Sequence, residues 1–184
     1  MTNTVALLGW GSLLWEGGRK FDAYHGPWLN DGPLLRIEFS RVSDSRCGAL
    51  TLVIDPENGI PTRVAYCLSL RSNITDVIED LRDREGASTQ NIGFVCRGED
   101  AKFRDRASRD AVIAWAAHSG MDSVVWTDLS SNFAERLGRP FSVAAALEYL
   151  QTLEPVAKAK ALEYIRRAPP FVQTPLRSAL AQIS

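Results

Sequence analysis

The sequence predicts an α+β fold, and three observations predict it. Residues 5–69 carry apolar runs and alternations at the period of strands. Residues 74–85 switch to the 3.6-residue period of a helix. The stretch after residue 100 is dense in helix starts and stops. Strand, hairpin, helix and strand follow one another irregularly, which is not a βαβ series.

The elements follow in order. Residues 5–8 form an apolar run that ends in Gly9-Trp10-Gly11-Ser12. A buried strand delivers its backbone to a ligand in this way. Glycines let the main chain turn and approach closely, and the turn's N–H groups with the Ser12 hydroxyl can form an anion-binding nest. Leu35, Ile37 and Phe39 alternate with Arg36, Glu38 and Ser40, as in a half-buried strand. Residues 49–55 are a second strand, 56–59 a turn, and 63–69 a third strand with Val64, Tyr66 and Leu68 on one face. Residues 49–69 therefore predict a β-hairpin. Ile74, Val77, Ile78 and Leu81 mark a helix stripe, with Ser72 or Asn73 as its cap and Gly86 as its stop. Residues 91–97 predict another strand.

In the second half Ser108 caps a helix running to Ser119, and residues 123–126 form a short apolar run. Ser142 caps a helix over 143–153, residues 156–167 continue helically, and Thr174-Pro175 starts a last helix. No linker, repeat or low-complexity tract divides the chain. The reading is one domain over 1–184: residues 4–97 carry the site, and 98–184 are a helix-rich extension packed on them.

At 184 residues, with 45% apolar and 23% charged residues, the composition is that of a globular domain. A net charge of −1 argues against a nucleic-acid partner. No run approaches the roughly 20 apolar residues that span a bilayer, and the first residues carry no basic signal-peptide region. Three widely spaced cysteines, Cys47, Cys67 and Cys96, argue for a reducing compartment and a cytoplasmic location. With two histidines, His25 and His118, a metal site is not expected, and both read as surface residues. Arg104, Arg106 and Arg109 interleave with Asp100, Asp105 and Asp110, a solvated face. Most of the five tryptophans should be core, with Trp10 and Trp15 beside the site.

Two rival motifs fail. Gly9-Trp10-Gly11 opens a dinucleotide fingerprint, but Leu14 stands where its third glycine belongs, and Gly17-Gly18 argues against an immediate helix. The same Leu14 breaks a nucleophile elbow around Ser12.

One carboxylate stands out. Asp76, Glu79, Asp80 and Asp83 lie away from the helix stripe and read as a solvated face. Glu85 follows Leu81 by four residues and so projects toward the core. There, desolvation and the negative helix end both disfavour its ionisation, which suits a general acid/base. The alternative is a glutamate that swings into water or pairs with Arg82 or Arg84.

Gly-Trp-Gly-Ser-Leu-Leu-Trp after the first strand resembles the Tyr-Gly-Ser loop of the γ-glutamylcyclotransferase-like superfamily, ChaC-type enzymes included. Leu81-Arg82-Asp83-Arg84-Glu85-Gly86 resembles its Leu-Asp-x-x-Glu-Gly helix end, with Arg82 in place of the aspartate. Ser40-Arg41 with residues 48–56 is similar to its Gly-x-x-Thr-Leu hairpin. The resemblance spans roughly residues 5–97, and Trp10 stands where the family usually has tyrosine. It implies a small mixed β-barrel with flanking helices. It also implies cyclisation of a γ-glutamyl peptide or amine to 5-oxoproline, with no cofactor and no metal. Glu85 would be the general acid/base, and Gly9, Trp10, Gly11, Ser12 and Leu13 would bind the substrate. A non-catalytic binding module for a small carboxylate or a protein is the other reading.

Overall fold

In a computed structural model, residues 3–17, 20–97 and 101–183 are described. Gly18 and Asp100, which entered the sequence readings, lie outside them. Among the described residues the fold is α+β, with six helices and two sheets. One sheet has five strands in the order β5-β1-β8-β6-β7, the other three in the order β3-β2-β4. Neither sheet closes on itself, so neither forms the barrel that the resemblance implies. The chain divides into two compact units, residues 1–35 with 63–129 and residues 36–62 with 130–184.

In the first unit β1 (Val5–Gly9) is central, antiparallel to β5 (Ala65–Leu68) and parallel to β8 (Ser123–Thr127). All five β1 residues are buried, as a central strand covered on both faces requires. β6 (Ile92–Cys96) pairs with β8 and with the two-residue strand β7 (Ala101–Lys102). Helix α1 (Ile74–Glu85) lays Val77 and Leu81 on a cluster with Val5, Leu7, Phe21, Cys67, Ile92 and Val125. Asn73 caps it by accepting from the Thr75 amide at 3.0 Å, and Gly86 ends it at φ +59°. Both ends are as the sequence predicts. Helix α2 (Arg106–Ser119) is capped by Asp105, not Ser108, because the Asp105 carboxylate accepts the Ser108 amide at 2.7 Å.

The second unit holds most of β2 (Leu34–Ser43) and β4 (Ile60–Arg63), all of β3 (Ala49–Ile54), and four helices. These are α3 (Phe133–Leu137), α4 (Val143–Thr152), α5 (Pro155–Arg167) and α6 (Pro175–Ile183). The expected 49–69 hairpin does not form. β3 and β4 flank β2 on opposite sides, and β5 belongs to the other sheet. The turn crosses over β2 instead. A Cβ on Gly59 would stand 2.7 Å from the Arg36 carbonyl carbon and the Ile37 nitrogen, so only glycine passes there. Of the face predicted for the third strand, Val64 is buried, Tyr66 half-buried and Leu68 exposed, while the alternate residues Ala65 and Cys67 are buried as well.

The polar face expected for β2 is buried from Glu38 onward, and Glu38 and Ser40 are both 0% exposed. Glu38 accepts the Phe39 amide at 2.7 Å and the Leu176 amide, at the start of α6, at 3.4 Å. Burial pushes its carboxyl above the ordinary glutamate range, although hydrogen bonds from Thr174, Phe39 and Leu176 oppose that shift. Arg177 closes the other end of this corner. Its guanidinium donates to the carbonyls of Pro169, Val172, Arg166 and Ala168, between 2.6 and 3.2 Å.

Three further sequence readings change. His25 is not a surface residue: its side chain is 10% exposed, and its ring packs against Phe21 and Trp28. Only Trp10 and Trp126 of the five tryptophans are fully buried. Asp80 is not solvated either, because Arg71 binds its carboxylate with Nε and Nη2. The three cysteines are free, and no cluster of metal-ligating side chains exists among the described residues. No described helix is long and apolar enough to cross a membrane.

Candidate functional site

The loop after β1 is built from local hydrogen bonds. Ser12–Leu14 makes a 3₁₀ turn in which the Leu14 amide donates to the Gly11 carbonyl at 3.0 Å. The Ser12 carbonyl accepts from the amides of Trp15 at 3.1 Å and Glu16 at 2.8 Å. Its opening amides, those of Gly11, Ser12 and Leu13, precede the residues whose N–H groups close the turn. Trp10 and Ser12 are buried, and the Leu13 side chain packs on the core cluster beneath. Gly9 has a different reason to be glycine from the one the sequence suggested. A Cβ there would meet the Trp28 ring at 2.9 Å and Leu14 Cδ2 at 3.0 Å, so packing by Trp28 demands it.

Glu85 is the last residue of α1. Its side chain is 22% exposed, half-buried where the sequence placed it toward the core. Its Oε1 lies 3.6 Å from Arg84 Nη1, which is the Arg84 pairing left open by the sequence. The helix end is tied off by the Gly86 and Ala87 amides, which donate to Asp83 and Arg82.

Arg84 joins the two halves. Its side chain is 3% exposed. Nη2 donates to the Glu16 carbonyl at 2.9 Å and to the Ser12 carbonyl at 3.3 Å. One guanidinium thus touches the Ser12 loop and the Glu85 carboxylate. Sequence reasoning named Arg84 only as a partner for Glu85. The signal for more was present, because Val77, Leu81 and Arg84 continue one line down the helix, and arginine on a buried line needs a partner.

The structure brings Glu85 and the loop to the same arginine. Three cavities, of about 530, 360 and 260 Å³, are lined by other residues, and neither Glu85 nor residues 9–13 line any of them. His118 stays exposed at the end of α2. No protein-family model matches the chain, and no curated protein matches it either.

Proposed function

We propose that the chain is an enzyme that cyclises a γ-glutamyl peptide or amine. In this reaction the substrate's α-amine attacks its own γ-carbonyl carbon. The bond from that carbon to the departing nitrogen breaks, giving 5-oxoproline and a free amine. The substrate carries its own nucleophile, so the protein needs no serine or cysteine for attack. Its tasks are to hold the glutamyl unit folded and to move one proton. Glu85 takes the proton from the attacking amine and returns it to the leaving nitrogen. The amides of Gly11, Ser12 and Leu13 hold the α-carboxylate or polarise the carbonyl oxygen. The chemistry calls for no cofactor or metal.

The observation that carries this reading is the Arg84 bridge, which keeps the Glu85 end of α1 beside the loop after β1. A central strand running directly into that loop also supports it. The test is incubation with a panel of γ-glutamyl peptides and amines, glutathione included, with 5-oxoproline measured by chromatography. Product from any member supports the reading, and none from all of them opposes it.

A non-catalytic carboxylate-binding or protein-binding role is the second reading. The Glu85–Arg84 ion pair favours it, because such a pair can be purely structural. It predicts no turnover, with a small carboxylate raising the melting temperature in a Ser12-dependent way.

A further inference from the structure

The second unit holds a cavity of about 260 Å³ between α5 and α6. Leu162, Ile165 and Arg166 line it from α5, and Arg177, Leu180 and Ala181 line it from α6. On each helix the three positions fall at i, i+3 and i+4, so each helix turns one face to the cavity. Four of the six side chains are apolar, and the two that carry charge are both arginines. Among the described residues no carboxylate lines it.

Neither arginine has a counter-ion. Arg177 gives Nη1 and Nη2 to the four backbone carbonyls of its clamp, and its Nε–H takes part in none of those bonds. Desolvation holds its pKa below the ordinary arginine value, with no carboxylate acting the other way. Arg166 is exposed, and its guanidinium meets no hydrogen-bond or ion-pair partner among the described residues. Glu163, three positions earlier, faces Arg167 at 3.9 Å and does not line the cavity. The cavity therefore joins apolar walls to uncompensated positive charge.

We infer that this cavity binds a small carboxylate with a short apolar chain. The carboxylate sits on the accessible Arg166 guanidinium, whose planar fork suits it, and the Arg177 charge adds to the attraction. The chain lies against Leu162, Ile165 and Leu180. An uncharged ligand leaves both cations unmatched, and an anion without a chain leaves the walls in water. An ammonium group finds no carboxylate here to meet it. None of these residues belongs to the loop after β1 or to the Glu85 end of α1, so binding here is independent of the cyclisation.

The test is calorimetric titration of the intact chain at low ionic strength with three probes. These are 4-methylpentanoate, acetate, which lacks the apolar chain, and 4-methylpentanamide, which lacks the charge. 4-Methylpentanoate should bind at least about tenfold tighter than either of the others. Arg166→Gln should weaken its binding by about tenfold or more. The Arg166 side chain is exposed and supports no other group, so this variant folds, and the Arg177 clamp stays intact. No binding of 4-methylpentanoate, equal binding of acetate or of the amide, or unchanged binding to Arg166→Gln overturns the proposal.

Discussion

Arg84 Nη2 donates to the Ser12 carbonyl oxygen at 3.3 Å, across 72 residues of sequence. The same nitrogen holds Glu16 at 2.9 Å, and Nη1 faces Glu85 at 3.6 Å. A helix end and a strand-end loop are thereby fixed to one buried cation. Arg84→Met should destabilise the first unit by about 3 kcal/mol, because two carbonyls and a half-buried carboxylate lose their donor. Urea denaturation followed by tryptophan fluorescence measures this. A loss under about 0.5 kcal/mol would show that the bridge is not structural.

Gly93 pairs directly with Trp126 across β6 and β8. The indole lies on the glycine, and an added Cβ would stand 2.4 Å from Trp126 Cε2. Gly93→Ala should cost roughly 2 kcal/mol by forcing a fully buried ring to move. The melting temperature should fall by several degrees, with the near-ultraviolet dichroism of Trp126 altered.

Arg177 satisfies four backbone carbonyls between the end of α5 and the start of α6. Arg177→Ala should cost about 2 kcal/mol, since those carbonyls lose a charged donor. Hydrogen exchange should rise in α6 and remain unchanged in β1. Uniform protection across both elements would rule out a local clamp.

Glu38 makes stability depend on pH in a defined sense. Burial raises its folded-state pKa above the unfolded value. Its contribution is therefore fully present below the ordinary glutamate range and is lost as pH rises through the raised value. Each unit of that rise is worth about 1.4 kcal/mol. Relative to the unaltered protein, Glu38→Gln should gain stability as pH increases from about 5 to 8. Denaturation midpoints across that range check the sign, and a constant difference contradicts it.

The legible parts of the fold are those specified by neighbours in sequence. Asn73, the Val77 and Leu81 stripe and Gly86 predict α1 because caps and periodicity are local. The strand 5–8 and the breaks around Pro155 and Pro175 are legible for the same reason. Strand pairing is not local. Residues 56–59 read as a hairpin turn, and only the closeness of Gly59 to Arg36 and Ile37 reveals a crossing over β2. Glu38 looks like a solvent-facing residue until the Leu176 amide, 138 positions later, is found above it. Asn132 hides similarly: its side-chain amide makes a two-bond, strand-like pair with Val42, which sets the start of an unpredicted α3. At the candidate site, Glu85 and the Gly9–Leu13 loop were readable as residue types in order. The arginine between them lies on the buried line of α1 that spacing shows, but its partners, the Ser12 and Glu16 carbonyls about 70 positions earlier, are set by the fold and not by spacing.

The central claim is that Glu85 moves the proton in a γ-glutamyl cyclisation, and one comparison tests it most directly. The unaltered chain and Glu85→Gln are assayed side by side for 5-oxoproline release from the γ-glutamyl panel, with matched melting curves. The account predicts release by the unaltered chain and a fall of about a hundredfold or more in Glu85→Gln. Equal rates for the two proteins, or no product from the unaltered chain with any substrate, would contradict it.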